Sequence, residues 1–552
     1  MQKTCKNCSA SFEITIRDKE FYKKIAVLEP SFCVDCRQQR RSAWRNERHF
    51  FRRKCDATGK SIISMYPPDS PFKVYDQSFW WSDKWDAKSY GRDFDFSRPF
   101  FEQFRELQLE VPRLSLVNKQ SENSEYTNHS GKNKNCYLSA ITFESEDVYY
   151  SDWIVSSRDL FDSSYITKGS ELCYETYYAE KSFQCFFSEF IKRCNNLWFC
   201  YDCINSRNSF MSSNLRNAEY YFYNTKYTKE EFKEKMKSIF PLSHSELESL
   251  KKEYQRMKRE KFLHPALYHV NTENSTGDIL FNTKNCIYSF DTIDAEDCTY
   301  MFDAIDMKDS MDVYHVGWAE LMYECHAISN GYNCIGCHFA YDNRNVEYCD
   351  FTQNSKNLFG CAGMNQAEYC ILNKQYSKEE YEALAAKIRD HMRKIGEYGE
   401  FFPIEFSPFA YNQTRAQEYY PLTEEEAQKK GIRWSKDIPS VPESQKIIPA
   451  EKLPEYISEV PDDILNWAIL CEVTKKPFKI IKQELEFYRK FGIPIPRKHP
   501  DERYTDRVNS RKPRKLVQRE CTKCRKEVES SIPPESDVKN VYCESCYLKE
   551  VY

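Results

Sequence analysis

A repeat of twelve residues between Asn285 and Asn373 restricts the possible folds of this chain more than any other feature. Residues taken every twelve positions form columns of small or apolar side chains, one of which is Cys286, Cys298, Ser310, Met322, Cys334, Val346, Leu358 and Cys370. A step of twelve is too short for a repeat of helix pairs, which needs roughly 33 to 47 residues. It fits one coil of a narrow β-solenoid, whose coils stack about 4.8 Å apart.

The residue before this column is mostly Asn or Asp, which tolerate left-handed backbone and therefore favour a corner. These residues are Asn285, Asp297, Asp309, Asn333, Asn345 and Asn357. An earlier stretch, from Asn135 to Asn224, repeats the pattern with single-residue slips, and its inner column is Cys136, Val148, Leu160, Cys173, Cys185 and Trp198. The sequence therefore predicts two tandem narrow β-solenoids. Helices are expected after each, at roughly 228–239, 245–262 and 377–395, two of them opened by the capping boxes Thr228…Glu231 and Ser377…Glu380.

The cysteines of the second repeat leave two interpretations open. Cys334-x2-Cys337, with His326 and His338 nearby, could form a ladder of metal ligands, or the thiols could fill a thin core as small apolar groups. Val346, which shares the inner column, favours core packing because its side chain cannot bind metal. The two histidines follow inward residues, so we expect them to point outward into solvent.

Each end of the chain carries cysteine pairs at zinc-ligand spacing. The N-terminal set is Cys5, Cys8, Cys33 and Cys36, and the C-terminal set is Cys521, Cys524, Cys543 and Cys546. Two CxxC pairs around a short insert are typical of a ribbon with a tetrahedral zinc site. Because the N-terminus has no apolar export signal, we expect a cytoplasmic protein whose 24 cysteines are reduced thiols or metal ligands. Two structural Zn²⁺ ions are predicted, against the alternative of buried thiols alone.

The two ends also match each other at a fixed offset of 466 residues, at which Cys5 falls on Cys471 and Cys55 on Cys521. Each end therefore holds two ribbon-like units, one with a full ligand set and one that has lost it. In the C-terminal pair the degenerate unit is Cys471, Thr474, His499 and Glu502. Whether this set retains metal is left open.

An arginine-rich segment links the paired ribbons at each end. Arg37 to Lys54 contains eight basic residues against one Glu, and Arg503 to Glu520 contains seven against two acidic residues. Arginines coincide at the 466 offset: Arg37, Arg41, Arg45, Arg48 and Arg53 fall on Arg503, Arg507, Arg511, Arg514 and Arg519. The first four lie on one face of a helix, and guanidinium groups grip phosphate oxygens well. The alternatives are pairing with carboxylates of the same chain and contact with a protein partner.

The predicted architecture is mainly β with α, with two solenoids joined by helices and flanked by zinc-ribbon pairs. Residues 76–134 are aromatic-rich and are expected to cap a solenoid end, and residues 400–466 contain many prolines and are expected to form an extended strap. The predicted domains are 1–75 (ribbon, basic helix and degenerate ribbon), 76–134 (cap), 135–226 (first solenoid), 227–270 (helical connector), 271–374 (second solenoid), 375–399 (helix), 400–466 (strap) and 467–552 (second ribbon pair).

This layout resembles an uncharacterised family of zinc-ribbon repeat proteins of small-genome candidate-phyla bacteria. The resemblance rests on Cys36-Arg-Gln-Gln-Arg-Arg41, Trp80-Trp-Ser-Asp-Lys-Trp85, Gly91-Arg-Asp-Phe-Asp-Phe96, Leu372-Asn-Lys-Gln-Tyr-Ser377 and the closing segment Tyr542-Cys543…Val551-Tyr552. It covers nearly the full length. The family carries no established activity, so the resemblance implies an architecture and no mechanism.

The net charge of −4 excludes polyanion binding by bulk charge, and no apolar run is long enough to span a membrane. Catalytic motifs are absent: Thr58-Gly59-Lys60-Ser61 lacks the first glycine of a phosphate-binding loop. We therefore predict a non-enzymatic zinc-binding scaffold that binds nucleic acid, with RNA favoured, through the ten arginines. The alternatives are a protein-interaction scaffold that uses Tyr-rich solenoid faces and a polymer-acting hydrolase. No small-molecule substrate is evident.

Overall fold

A computed structural model describes residues 1–436, 444 and 446–552. The chain forms two compact units, and each is assembled from two separate stretches of sequence. Unit 1 contains Met1–Leu116 and Leu267–Lys436, and unit 2 contains Val117–Ala266 and Asp437–Tyr552. The N-terminal ribbon pair therefore belongs with the second repeat, and the C-terminal ribbon pair belongs with the first.

The second repeat forms a large, mainly parallel sheet in unit 1, which we call the second stack. Its strands are His269–Glu273, Gly277–Lys284, Ser289–Glu296, Thr299–Lys308, Met311–Ser329, Tyr332–Ile335, His338–Tyr341, Arg344–Glu347, Asp350–Gln353, Lys356–Phe359, Glu368–Ile371 and Lys374–Gln375. Pairing advances in steps of twelve, for example Met301 with Val313 and Cys334 with Val346. This is the step that the sequence predicts.

The first repeat forms the corresponding first stack in unit 2. Its strands are Asn118–Lys119, Tyr126–Asn128, Ser130–Gly131, Tyr137–Phe143, Glu146–Tyr149, Asp152–Val155, Arg158–Phe161, Ser164–Thr167, Glu171–Tyr174, Tyr177–Glu180, Phe183–Phe186, Glu189–Lys192, Asn195–Trp198, Tyr201–Ile204, Arg207–Phe210, Glu219–Phe222 and Thr225–Lys226. One predicted slip lies beside Gly169, where Arg158 pairs with Glu171. The predicted slip at Trp198 is wrong, because Leu197 pairs with Cys185 and occupies the inner column. Pairing also begins at Asn118, inside the stretch predicted to be a cap.

The backbone turns at every third residue of both stacks. In the second stack Asn285, Tyr288, Asp291 and Asp294 all have φ between 49° and 54°, and the pattern continues along the repeat. The residue after each of these turns faces the interior, so four inward positions occur in every twelve residues. The sequence pattern revealed two of these inward columns and only one of the four corners, the one occupied mostly by Asn and Asp.

The interior of each stack is filled by small or aliphatic side chains, with methionines in the second stack. The second stack buries its cysteine columns among Met301, Val313, Ala340 and similar residues, and the first stack does so among Val148, Ile154 and Leu160. Each thiol donates to a backbone carbonyl, as Cys325 does to the oxygen of Tyr323 at 3.3 Å. Core packing, the favoured interpretation of these cysteines, is confirmed.

Helices cover part of each stack. In unit 1 they are Ile16–Lys24, Val34–Ser42, Gln77–Trp80, Phe100–Glu110, Lys378–Ile395, Arg415–Tyr419 and Glu424–Lys429. In unit 2 they are Lys229–Lys237, His244–Glu260, Lys482–Phe491, Pro500–Asn509 and Glu544–Val551. Both predicted capping boxes, at Thr228 and Ser377, are present. Within the described residues, no helix combines the length and hydrophobicity that a bilayer span requires.

The remaining strands belong to the ribbons and their linkers. They are Gln2–Thr4, Ser11–Glu13, Phe51–Lys54, Ser61–Ser64, Val74–Tyr75 and Arg113–Leu114 in unit 1. In unit 2 they are His264–Pro265, Lys446–Pro449, Trp467–Leu470, Pro477–Phe478, Val517–Glu520, Glu527–Ser530 and Val541–Tyr542. Part of the predicted strap, residues 437–443 and 445, lies outside the described residues. Its other residues include the helices Arg415–Tyr419 and Glu424–Lys429, and Phe401, Phe402 and Phe409 near its start are buried.

Candidate metal centres and buried arginine clusters

The four N-terminal cysteines meet at one point of unit 1. The ligand atoms of Cys5, Cys8, Cys33 and Cys36 all lie within 4.8 Å of one another, and the sulfurs of Cys8 and Cys33 are 3.8 Å apart. A tetrahedral zinc ion with Zn–S bonds of about 2.3 Å places its sulfurs about 3.8 Å apart. The cluster thus has the composition and the spacing of a structural zinc site, as the sequence predicts.

The C-terminal set in unit 2 has the same form. Cys521, Cys524, Cys543 and Cys546 meet the same 4.8 Å limit, and the sulfurs of Cys524 and Cys543 are 3.8 Å apart. Among the described residues, these two sets are the groups of donors able to hold a metal ion.

Backbone donors preorganise the thiolates at both sites. The N–H of the third cysteine donates to the sulfur of the first at 3.3 Å, from Cys33 to Cys5 and from Cys543 to Cys521. Both third cysteines are also N-terminal caps of helices, where negative charge is favoured. A hydrogen bond with Cys36 lowers the pKa of Cys33 to about 5, and one with Ser545 lowers the pKa of Cys543 to about 6.

The degenerate ribbon in unit 1 keeps the same backbone but replaces the metal by hydrogen bonds. The N–H of Cys55 donates to Lys60, as that of Cys5 does to Ala10. Asp76 takes the place of the third cysteine, since its N–H donates to the Cys55 sulfur at 3.3 Å. Its carboxylate accepts from Cys55 at 3.2 Å and from Thr58 at 3.3 Å.

The degenerate ribbon in unit 2 follows the same plan. His499 caps the helix Pro500–Asn509 in the position of the third cysteine. Burial opposes ionisation of Cys471, but hydrogen bonds from Thr474 and from the His499 backbone lower its pKa. Cys471, Thr474, His499 and Glu502 do not appear among the donor groups of the described chain that meet the metal-site distances.

The first arginine helix, Val34–Ser42, lies against the second stack. Arg37 binds Asp312 with its Nε at 3.0 Å, and Arg41 binds the other oxygen of the same carboxylate at 3.1 Å. Arg40 and Arg41 both bind Glu324. Arg37 and Arg41 are 1% and 0% exposed, so they are almost completely shielded from solvent. Burial raises the pKa of Glu324, and Arg41 and Arg40 oppose that shift.

The second arginine helix, Pro500–Asn509, repeats this cluster in unit 2. Arg503 and Arg507 bind the two oxygens of Asp162, Arg507 at 2.9 Å. A buried acid on the preceding helix completes each cluster: Tyr150 donates to Glu484 at 2.9 Å. In unit 1 the corresponding bond runs from Tyr300 to Asp18 at 3.3 Å. The offset of 466 that aligns the arginines therefore also aligns Asp18 with Glu484, whereas Asp312 and Asp162, which the arginines bind, occupy equivalent places in the two stacks.

The prediction of an exposed arginine face is wrong for Arg37, Arg41, Arg45, Arg503 and Arg507, all of which are buried. Arg45 binds Glu47 inside unit 1. Pairing with carboxylates of the same chain, the alternative left open by the sequence, is what the structure contains. The helix face that bears Arg37 and Arg41, like the one that bears Arg503 and Arg507, is also the face that packs on the stack. The helix Val34–Ser42 ends before Arg45 and Arg48, so the predicted helix face of four arginines is wrong beyond Arg41.

The five other predicted arginines are partly exposed, and contacts within their own unit are described for Arg53, Arg511, Arg514 and Arg519. Arg53 donates to the oxygen of Pro67 at 3.1 Å, and Arg519 donates to that of Ile532 at 2.9 Å. Arg511 pairs with Asp152 at 3.0 Å, and Arg514 donates to the hydroxyl of Tyr165 at 3.4 Å. Arg48 is half-buried. The ten arginines therefore do not form a continuous surface for phosphates.

A buried polar column in unit 1 was missed by the sequence reasoning. His326 and His338 are fully buried, with ring centroids 5.2 Å apart, so the prediction that they are solvated is wrong. They do point outward from the core, but Trp44 covers His338 at a centroid distance of 5.4 Å. His338 binds Asp350 at 3.0 Å, and Asp350 in turn binds Arg113 at 2.7 Å.

Each unit has a cavity beside its arginine helix. In unit 1 a cavity of about 390 Å³ is lined by Cys36, Arg40 and Glu400 among others. In unit 2 a cavity of about 240 Å³ is lined by Glu472 and Asp506, with Arg503 and Arg507. Charges of both signs line each cavity, so neither one selects an anion or a cation.

Comparison with known proteins adds little. No known family profile matches the chain, and no curated protein matches it. Among solved structures, one similar chain is the "putative acetyltransferase from Desulfovibrio desulfuricans G20", with 9% sequence identity and a TM-score of 0.10. The alignment covers 44% of this chain and 63% of that one, less than two thirds of its length. At this TM-score the likeness supports no statement about fold or activity.

Proposed function

We propose that this protein is a non-enzymatic, zinc-stabilised binding scaffold in which each stack is a narrow β-solenoid clamped by a ribbon pair. The solenoid interpretation is supported by the twelve-residue step of the pairing and by the four buried columns of each repeat. The scaffold interpretation depends on one observation. The buried arginines pair with carboxylates of their own unit, and the stacked aromatic rings pack within it.

Zinc has a structural role in this proposal. Four thiolates close the coordination sphere and leave no position for water or substrate. In the degenerate ribbons, hydrogen bonds among Cys55, Thr58 and Asp76 hold the same backbone without four thiols. The metal therefore fixes the ribbon, and the ribbon places the arginine helix on its stack.

We place the binding surface outside the Tyr-rich faces of the stacks, because many of their rings are used in packing. Stacked rings such as Tyr149 and Phe161, with centroids 4.7 Å apart, are buried, and Phe487 packs on Phe161 at 4.4 Å. What remains open in the second stack is an outer column of mostly charged side chains: Lys284, Glu296, Lys308, Glu320, Tyr332, Arg344, Lys356 and Glu368. Surface ion pairs such as Lys284–Glu296 at 3.4 Å contribute little stability and are available for a partner.

Affinity capture from nuclease-treated lysate tests the proposal. The full-length, zinc-loaded protein is compared with a variant of the open column, Glu296→Lys with Glu320→Lys, and with a matched control on an exposed helix, Glu230→Lys with Glu234→Lys. We expect the same proteins to be captured by the parent and the control and lost from the column variant.

Three outcomes would contradict the proposal. Capture that nuclease abolishes, together with RNA binding that weakens steeply with salt, would restore the nucleic-acid prediction. Turnover of a polymer that depends on one carboxylate would make the protein an enzyme. Capture that is equal in all three proteins would show that the open columns are not the contact surface.

A further inference from the structure

One tryptophan of unit 1 stands apart from the buried aromatic residues. Trp318 is 54% exposed, whereas the other tryptophans of the described residues are buried or half-buried. It lies in a corner column of the second stack with Asn282, Asp294, Asp306, Asn330, Asp342, Asn354 and Gln366. We call the part of this column from Asp294 to Asp342 the Trp318 surface.

Trp318 differs in residue type from the other members of its column, which are Asn, Asp and Gln. Its φ is 53°, like the 53° of Asp306 and of Asn330. Asn and Asp adopt this left-handed conformation readily, whereas a bulky aromatic residue does so at a cost. Aromatic residues such as Tyr300 and Phe339 occupy left-handed corners elsewhere in the second stack, but their rings are buried. The Trp318 ring is instead exposed to water, which points to a use in binding.

The charged residues within this column are all acidic. The column contains Asp294, Asp306 and Asp342 and no basic residue. Asp294 accepts from Asn282 at 2.7 Å, and Asp342 accepts from Asn330 at 2.9 Å. Asp306, one step of about 4.8 Å from Trp318, makes no ion pair or hydrogen bond with the described residues. Its carboxylate is open beside the indole ring.

The column one residue before the Trp318 column provides an apolar surface beside the ring. Ile293 pairs with Ile305, and Ile305 pairs with Gly317. Both isoleucines are half-buried, and Gly317 has no side chain, so space is left beside the ring. An aliphatic stem that ends in a cation can lie on this apolar surface with its charge over the indole.

From these features we infer that the Trp318 surface binds an extended, Lys- or Arg-bearing segment of a partner protein. One cation lies over the Trp318 ring and contacts Asp306, and further cations meet Asp294 and Asp342 along the column. Charge complementarity favours this occupant over RNA, which the three carboxylates repel. The inference rests on the proposed scaffold function and names the class of partner for one of its surfaces.

Fluorescence anisotropy of a labelled ten-residue peptide of alternating Arg and Gly tests the inference with the full-length, zinc-loaded protein. We expect binding that weakens with salt, a loss of at least about tenfold in Trp318→Asn, and a loss of about threefold to tenfold in Asp306→Asn. Trp318→Asn matches its neighbours in the column and suits the left-handed backbone, so the fold should be retained. Asn354→Ala, in the same column, is the matched control and should bind like the parent.

Several results would overturn the inference. These are absence of peptide binding, equal binding by Trp318→Asn, binding of a matched Glu–Gly peptide or of a neutral oligosaccharide instead, and a dimer that Trp318→Asn dissociates. Failure of the scaffold proposal is distinguishable from failure here. If partner capture is lost in the Glu296→Lys, Glu320→Lys variant but unchanged in Trp318→Asn, the scaffold proposal stands and this surface is wrong.

Discussion

The buried arginine cluster of unit 1 makes a sharp prediction about Asp312. This carboxylate accepts from Arg37 at 3.0 Å and from Arg41 at 3.1 Å, and all three side chains are buried. Asp312→Asn preserves the volume and the tolerance for φ of 56° but removes the charge from between two cations. Loss of one partner from a buried ion pair costs about 3–5 kcal/mol. Because Glu324 still pairs with Arg41, we expect about 3 kcal/mol.

Hydrogen exchange resolved by peptide is the suitable assay, since two units need not unfold together. Peptides that cover Val34–Ser42 and Met311–Ser329 should lose about 3 kcal/mol of protection in Asp312→Asn. Peptides of the first stack should be unchanged. Asp162→Asn, which acts on the equivalent cluster, should show the reverse distribution.

Asp309→Asn is the matched control, because it makes the same chemical change at a neighbouring left-handed corner with φ of 47°. Asp309 pairs with Lys24 at 3.0 Å, but these side chains are 32% and 48% exposed. An exposed pair contributes at most about 1 kcal/mol. If the two variants lose similar stability, the argument that burial makes the Asp312 pair costly to break is refuted.

Three further predictions concern the metal, pH and assembly. Metal analysis should give two zinc ions per chain in the parent and one in each of Cys8→Ser and Cys524→Ser. The triple variant Thr58→Cys, Asp76→Cys, Phe79→Cys, which gives the degenerate ribbon four cysteines, should bind three. A count of two in the triple variant would contradict the equivalence of the ribbons. Burial opposes ionisation of Asp350, but Arg113 and His338 lower its pKa to about 2. The ionised carboxylate therefore contributes about 2.5 kcal/mol to the free energy of unfolding above a pH of about 4, and this contribution is lost as the pH falls toward 2. Asp350→Asn should lack that part of the acid transition in unit 1, whereas the exposed control Asp342→Asn should keep it. Deletion of residues 1–75 should raise the rate of hydrogen exchange in Met311–Ser329 and leave that of Tyr177–Glu180 unchanged. Faster exchange in Tyr177–Glu180 alone would contradict the pairing of the N-terminal ribbons with the second stack.

The sequence predicted the features that local chemistry determines. CxxC spacing identified both sets of four cysteines, because metal ligation requires those residues at those distances. The twelve-residue columns predicted the parallel pairing, because identical inward positions must stack. The capping boxes at Thr228 and Ser377 located the helix starts.

The sequence was less informative where any residue type can occupy a position. Left-handed turns recur at every third residue, but Tyr288, Tyr300 and Phe339 occupy them as well as Asn and Asp. Their conformation is imposed by the ladder above and below, so no local signal marks them. Only one of the four corner columns, the one rich in Asn and Asp, could therefore be recognised from the sequence.

The arginine pairing could not be chosen from the sequence because the partners are distant in the chain. Asp312 lies 275 residues from Arg37. A signal did exist, since Asp162 and Asp312 occupy equivalent corners just as Arg503 and Arg37 occupy equivalent helix positions. Comparing the two repeats at their own offset would have linked the acids to the arginines.

The pairing of each stack with the ribbon pair from the opposite end of the chain has a consequence for synthesis. The first stack belongs with Asp437–Tyr552, which is made after the second stack, so its buried aromatic ladder stays uncovered while the ribosome completes that stack. The second stack, in contrast, finds its ribbon pair already synthesised. Unit 1 can therefore close during translation, whereas unit 2 must wait until Asp437–Tyr552 has left the ribosome, and a chaperone that shields aromatic surface would act on the first stack.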